Sequence, residues 1–285
     1  MYGFSNRCKH YWLGNILNSK IINFKGDYYV MKNEIEKNWD DMAKAYEDFT
    51  EKDDSYSYAI EWPCIQKMLP QLNNKRILEL GCSTGRYSFL FEKESPLFVL
   101  GVDISENMLN IAKEKAKKIG SKVKFIKADI SNLDIYINEK FDFIFSSTTF
   151  HYIEDIKSLF FNIFNALDDK GVCIVSLMHP VYTAQYPVDK NGEFPSDDEW
   201  VIRYLDKSKR AYIQPWIEYN DNIENFLSMS YHHTVNDYFN AIINAGFRIE
   251  RVEEPFPPES WKQNCYSRYN SFIETPSYMI LKLSK

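Results

Sequence analysis

The chain has 285 residues, of which 45% are hydrophobic and 16% aromatic, and it carries a formal net charge of −6 at pH 7. That length buries one sizeable core with room for a small appended subdomain, so no second domain is required. The acidic balance, with lysines scattered rather than clustered, argues against a dedicated nucleic-acid groove and for a small-molecule partner. The cysteines Cys8, Cys64, Cys82, Cys173 and Cys265 form neither a C-x-x-C pair nor a zinc pattern, which predicts no metal site and fits a reduced, cytoplasmic setting. No basic region followed by an apolar run and cleavage site opens the chain, and no apolar run reaches the ~18 residues of a membrane span. A soluble protein with no membrane partner is expected.

Residues 1–30 show little amphipathic order and are expected to form a loosely ordered arm, ahead of a single domain over 31–285. From Asn33, the residues Ile35, Trp39, Met42, Ala43 and Tyr46 share one face of an amphipathic helix. Trp62 to Leu72 reads as a second helix, with Pro63 near its first turn. In RILELGCSTGRYS, residues 76–88, Ile77, Leu78 and Leu80 form a short buried strand. Gly81 and Gly85 bound a tight turn, and Arg86 to Phe91 begin a helix. Val99 to Val102 is a second strand. It ends at Asp103, 103 − 85 = 18 residues after Gly85, near the roughly 20-residue interval at which a carboxylate meets a ribose in βαβ nucleotide folds.

Ser105 caps a helix that ends at Gly120, and Val123 to Ile126 forms a third strand that leads to Asp129 and Ile130. Phe141 to Phe145 is the fourth strand, leaving into Ser146 and onward to His151. Asp155 to Leu167 is helical, Lys170 and Gly171 turn, and Val172 to Met178 is a fifth strand ending at His179 and Pro180. The aromatic stretch from Tyr182 to Tyr231 has no clear period, and 180–232 reads as a lid or substrate-side insertion. A helix over Val235 to Ala245, a turn at Gly246, a strand over Phe247 to Val252, a proline-rich loop through Pro258 and a last strand over Tyr278 to Leu283 follow. The alternation predicts an α/β, doubly wound, mainly parallel sheet with helices on both faces.

Open parallel sheets bind ligands at the carboxyl ends of their strands. Glu79, Asp103, Asp129, Ser146 and His179 fall there, with His151 one turn further on. A dinucleotide loop needs G-x-G-x-x-G. Here Gly81, Cys82, Ser83, Thr84 and Gly85 run into Arg86 with no third glycine, which disfavours a dinucleotide-dependent oxidoreductase. Glu79 just before the turn suits a cationic, phosphate-free cofactor instead.

At these residues the chain resembles the class I S-adenosylmethionine-dependent methyltransferases, whose first motif is an acidic residue followed by G-x-G-x-G and then an acidic strand end. The middle glycine is Ser83 here, and a Cβ at that position narrows the backbone approach. The resemblance implies a Rossmann-like, seven-stranded sheet with an antiparallel last strand beside strand five. It also implies S-adenosylmethionine as methyl donor and S-adenosylhomocysteine as product. The cofactor residues it implies are Tyr46 in a W-D-x-x-A-x-x-Y segment, Glu79, Gly81, Ser83, Gly85, Asp103 on both ribose hydroxyls, Ile104, Asp129 and Ile130 at the adenine, and Ser146. The segments FSSTTFHYIED, SLMHPVYTA and YHHTVNDYFNAIINAGFRIERVEEPFPP look like those of a widespread bacterial branch acting on small molecules, and the likeness covers most of 35–285.

Methyl transfer from a sulfonium is an in-line displacement, needing a general base only where the acceptor loses a proton. His151 and His179, on adjacent strand ends, are the candidates, against the plain alternative of hydrogen-bonded structural histidines. Tyr182, Tyr186, Trp200 and Trp216 are candidates for an aromatic cage around a cationic or planar substrate, against lid packing. Tyr46 as a core tyrosine and Asp129 as a turn former are the corresponding plain readings. An O, N or C acceptor, and a monomer or homodimer, remain open at this point. A nucleic-acid methyltransferase competes, but its N/D-P-P-Y/F motif is replaced after strand four by SSTTF. A non-catalytic S-adenosylmethionine-binding regulatory protein competes from another class.

Overall fold

The computed structural model describes residues 32–52, 55–137, 139–185, 202–213 and 227–285. The expected arm over 1–30 and most of the 180–232 insertion, including Tyr186, Trp200 and Trp216, lie outside the described residues. In chain order the elements are α1 (Lys32–Thr50), α2 (Trp62–Gln66), β1 (Arg76–Leu80), α3 (Arg86–Glu92), β2 (Phe98–Asp103), α4 (Glu106–Ile119), β3 (Lys124–Lys127), α5 (Leu133–Tyr136) and β4 (Phe141–Ser147). After these come α6 (Ile156–Ala166), β5 (Leu167–Met178), α7 (Pro180–Thr183), β6 (Arg210–Ile213), β7 (Leu227–Ser230), α8 (Val235–Ala245), β8 (Arg248–Glu253), α9 (Glu259–Asn264), α10 (Tyr266–Glu274) and β9 (Tyr278–Ser284).

Alternation along the central strands decides what packs where. Leu78, Ile144, Val175 and Leu281 point to one face, against Leu159, Phe160 and Ile163 of α6 and Tyr238, Ala241 and Ile242 of α8. Ile77, Phe143, Phe145, Ile174 and Ile280 point to the other, against Trp62, Ile65, Tyr87 and Phe91. Strands covered on both faces read as unbroken apolar runs, and this is why they were legible. The seven-stranded sheet has the order β3-β2-β1-β4-β5-β9-β8. Strands β1 to β5 run parallel, and β9 inserts antiparallel between β5 and β8. The order reverses between β1 and β4, and a crevice opens at such a switch point.

Four expectations are corrected. The second helix begins upstream as a π-helical turn over Ser57–Glu61 and ends at Gln66, short of Leu72; Pro63 has no N–H to give the carbonyl four residues back, and the wider turn lies just before it. Strand five starts at Leu167. Phe141 pairs with Leu167 but Phe143 with Val172, so the expected Lys170–Gly171 turn is a bulge within the strand. The stretch between Pro258 and Tyr278 contains α9 and α10, which bury Trp261 and Phe272. Within the aromatic stretch β6 and β7 pair as an antiparallel hairpin. Among the described residues no helix is long and apolar enough to cross a membrane.

Candidate functional site

The carboxyl ends of β3, β2, β1 and β4 open into a cavity of about 690 Å3, a size usual for small-molecule sites. The turn after β1 supplies its floor. Gly81 and Cys82 both donate their N–H to the Val102 carbonyl, at 2.8 and 3.0 Å, which folds the loop over the end of β2. Gly81 has φ +72°, and a Cβ there would lie 2.2 Å from Thr149 Oγ1. Ser83 also adopts the left-handed region, at φ +50°. The serine therefore keeps the glycine-like backbone, and its N–H donates to Asp103 Oδ2 at 2.8 Å. The other oxygen of Asp103 accepts the Ser105 N–H at 2.9 Å. Burial raises the Asp103 pKa, and these amides pull it back down. Gly81, Ser83, Asp103, Ile104, Asp129 and Ile130 all line the cavity. Asp129 also caps the one-turn helix Ile130–Asn132 through the Ser131 N–H, at 2.9 Å.

Three of the expected cofactor residues stand behind the wall rather than on it. Glu79 is buried, accepts hydrogen bonds from the Ser88 hydroxyl and N–H, and is pushed up to about 8 by burial; it braces β1 against α3. Gly85, at φ +83°, is the N-cap of α3 and lies against Phe125. Ser146 is fully buried, and its hydroxyl donates to the Leu80 carbonyl at 2.8 Å. Period two along β4 then turns Ser147 to the cavity, with Thr148 and Thr149 after it.

Helix α1 roofs the site. Ile35, Trp39, Tyr46 and Phe49 line the cavity from above, and Trp39 meets Tyr46 and Tyr152 edge-on, each at 5.5 Å between ring centres. Tyr46 bonds to the Ser83 side chain; burial, with the Glu61 charge nearby, raises its pKa and keeps it protonated. Polar tethers fix the helix. Asp40 Oδ1 accepts the Ser105 hydroxyl at 2.6 Å and the Asn107 N–H at 3.0 Å, Lys115 pairs with Glu47 and Glu51 at 2.7 and 2.8 Å, and Lys127 pairs with Glu36 at 2.6 Å.

The far wall comes from Tyr56, Tyr182, Lys209, Tyr231, Phe272 and Tyr278. Lys209 sits 5.4 Å above the Tyr231 ring centre. Its neighbour Arg210 is 2% exposed. The Arg210 guanidinium holds the carbonyls of Thr183, Arg203, Asp206 and Ser208, and so ties α7 to the segment 202–209.

The two candidate histidines part company. His151, in the turn Phe150–Tyr152, lines the cavity and is 4% exposed. Its Nδ1 is buried with no hydrogen-bond partner, and burial, with His233 nearby, pushes its pKa down to about 3. His179 is not among the lining residues. Its Nδ1 accepts the Val181 N–H at 3.1 Å as the N-cap of α7, and its Nε2 lies 2.8 Å from Glu254 Oε1. Sequence reasoning missed Trp39, Ser147, Lys209 and Tyr278. Strand period applied to β4 would have found Ser147, and the W-D-x-x-A-x-x-Y segment that gave Tyr46 would have found Trp39, whereas Lys209 and Tyr278 carry no local signal.

Chemically, this donor set suits a phosphate-free adenosyl cation. Asp103 keeps lone pairs free for a diol after accepting its amides, the side-chain-free surface at Gly81 admits close approach, and an aromatic roof faces it where a cation gains from ring faces. A methyltransferase-domain family profile matches residues 71–219. An S-adenosylmethionine dependent methyltransferase of Mesorhizobium loti, known from its crystal structure, is 28% identical, with 79% of this chain and 97% of that one covered and a TM-score of 0.62. An uncharacterized protein of Haemophilus influenzae is 28% identical over 254 residues, 86% of this chain and 95% of that protein. A carboxy-S-adenosyl-L-methionine synthase of Campylobacter hominis is 31% identical over 156 residues, 52% of this chain and 64% of the synthase.

Proposed function

The chain belongs to the methyltransferase-domain family and is an S-adenosylmethionine-dependent methyltransferase, and from that premise we propose that its acceptor is a small molecule bound beneath α1, over the ends of β4 and β5. The observation that carries this reading is enclosure. A cavity of about 690 Å3 lies within the roughly 300–1,000 Å3 of small-molecule sites, and helix α1 with its Trp39–Tyr46–Tyr152 cluster lies across it.

S-adenosylmethionine supplies a methyl group already attached to a good leaving group. The residues of this chain then position and dry the site. Asp103 takes the ribose hydroxyls, Asp129 and the Ile130 N–H take the adenine edge, and Gly81 and Ser83 lie along the methionine half. Tyr46 closes over it from α1. Tyr182 contributes to the acceptor wall. His151 is neutral at working pH, so it meets the acceptor as a hydrogen-bond partner and accepts a proton only from an acidic group. His179, with both ring nitrogens engaged, serves the fold.

Calorimetry with S-adenosylmethionine, S-adenosylhomocysteine and NAD should show binding of the first two alone. Asp103→Ala should weaken both by about 2–3 kcal/mol, the scale of charge-assisted hydrogen bonds. Unchanged affinity would mean that the ribose lies elsewhere. A screen for methyl transfer to small amines, hydroxylated compounds and carbon acids, run beside RNA, DNA and protein, tests the acceptor class. Methylation confined to a macromolecule would sink the small-molecule reading.

A further inference from the structure

Glu61 is fully buried, at 0% exposure, where the π-helical turn meets α2. One of its oxygens accepts the Ser147 hydroxyl at 2.7 Å, and the other accepts the Tyr87 hydroxyl at 3.2 Å. No lysine or arginine among the described residues forms an ion pair with it. The nearest cation felt there is Arg86, whose guanidinium is engaged with the Thr50 carbonyl, the Ser55 hydroxyl and the Tyr58 ring. A buried carboxylate with neutral partners alone is costly, unless it holds a proton or faces a positive charge.

Its place along the sheet indicates which positive charge it faces. Following the sheet order, the cavity is lined by Asp129 after β3, Asp103 after β2, Gly81 after β1 and Ser147 at the end of β4. With adenine at Asp129 and ribose at Asp103, the remaining half of the cofactor crosses the Gly81 turn and brings its sulfur to the border of β1 and β4. Ser147 opens there, with Glu61 one hydrogen bond behind it. Tyr46 and Tyr278, which line the same corner, also feel the Glu61 charge.

We propose that Glu61 is a specificity-determining residue: its buried carboxylate, acting across Ser147, favours the positively charged methyl donor over the neutral thioether left after transfer. The proposal rests on the cofactor placement above. It also gives a physical route for product release, because the attraction disappears once the methyl group has gone.

The groups facing Glu61 are Tyr46 from α1, Arg86 and Tyr87 from α3, Tyr278 from β9 and Cys64 on its own helix. Burial raises the three tyrosines and the thiol, so they stay protonated at working pH. Glu61 is also raised by burial, and acidification should protonate it and erode the preference for the cation. Glu79 and Asp103 are the other raised acids near the cavity, and the variants separate them from Glu61.

The test is calorimetric titration of the full chain with S-adenosylmethionine and S-adenosylhomocysteine, from mildly acid to mildly alkaline pH, in the wild type, Glu61→Gln and Glu79→Gln. Both ligands carry the same amine, carboxylate, ribose and adenine, so their affinity ratio reports the sulfonium's charge and methyl group together, and the change in that ratio on removing the Glu61 charge reports the charge alone. In Glu61→Gln the ratio should fall roughly tenfold against the sulfonium, the scale of one charge pair separated by a single hydroxyl in a partly buried site. S-adenosylhomocysteine affinity should hold within about twofold. The wild-type ratio should decline on acidification, should do so in Glu79→Gln as well, and should be flat in Glu61→Gln. Equal weakening of both ligands, or a pH-independent ratio in the wild type, overturns the proposal. If Glu61→Gln does not fold, the pH series of the wild type, Glu79→Gln and Asp103→Asn decide, since a decline in the ratio that survives both substitutions leaves Glu61, and one that either abolishes overturns the proposal. Failure of the wild type to bind either ligand overturns the cofactor placement itself, and it would be seen before any variant is made.

Discussion

The floor and the roof of the cavity are held by different kinds of bond. The floor is largely backbone: the Gly81 and Cys82 amides on the Val102 carbonyl, the Ser83 and Ser105 amides on Asp103, and parallel pairing on both sides of β1. The roof is largely side chain: Asp40 on the start of α4, Lys115 on two glutamates, Lys127 on Glu36. Partly exposed ion pairs contribute about 0–1 kcal/mol each and are screened by salt. The floor is therefore fixed by backbone geometry, and the roof by side-chain contacts that salt and solvent weaken.

Mutation can break this contrast, starting with the floor. Gly81→Ala combines a left-handed φ with a contact at 2.2 Å, and it should cost about 3 kcal/mol or more in urea unfolding, with cofactor binding lost; adding Thr149→Ala should recover part of it. A smaller effect appears with pH. Glu79 is raised from 4.5 to about 8, so the stability it contributes is present below 4.5 and is lost as pH rises through about 8. His151, lowered from 6.5 to about 3, runs the other way: its contribution is present above 6.5 and is lost as pH falls toward 3. The two offset each other between 4.5 and 6.5. Relative to wild type, Glu79→Gln should gain stability as pH is raised from about 4.5 to about 8, at up to about 1.4 kcal/mol per pH unit, and level off above that; unfolding curves against pH check this.

The roof should respond more gently. Asp40→Ala removes a cap from α4 and a tether from α1, and it should cost about 1 kcal/mol. It should also speed cofactor release more than it slows binding, which stopped-flow fluorescence would read. A release rate unchanged from wild type would mean that α1 does not control access. Smallest of all is Ser83→Gly. Relief of the positive φ should be worth about 1 kcal/mol at most, less what is lost from the Ser83 contacts to Met108 and Tyr46, so a thermal melt should barely move.

The same contrast explains what the amino-acid sequence reveals. The individual strands, the β1 and β2 loops, α4 and α8 were legible because apolar period and capping residues encode them within a few positions: Ser105 caps α4 through a side-chain bond that sequence pattern already implies. Lys209, Tyr278 and Glu61 were not, because tertiary placement alone brings Lys209 and Tyr278 to the cavity and Glu61 to the back of its wall. Glu61 reads as an ordinary acid beside Pro63 until β4 is packed against it. Ser146 is expected just past the fourth strand, but β4 runs on to Ser147, and the pleat, which sends neighbours to opposite faces, buries Ser146 and turns Ser147 to the cavity. His179 stands at a strand end, as a catalytic group would, yet the proline after it starts a helix whose first amides need a cap.

Arg210 carries a further consequence, for divergence among relatives. Its guanidinium grips mainly main-chain carbonyls, which are the same in every residue type, beside the Ser208 hydroxyl, so side chains such as Leu205 and Lys209 can be exchanged without loosening the grip. Lys209 is one of those side chains, and it lines the cavity. A lineage can thus change the charge and shape presented to the acceptor one substitution at a time while the anchor keeps the wall standing, which makes this segment the natural place to randomise when selecting for a new acceptor.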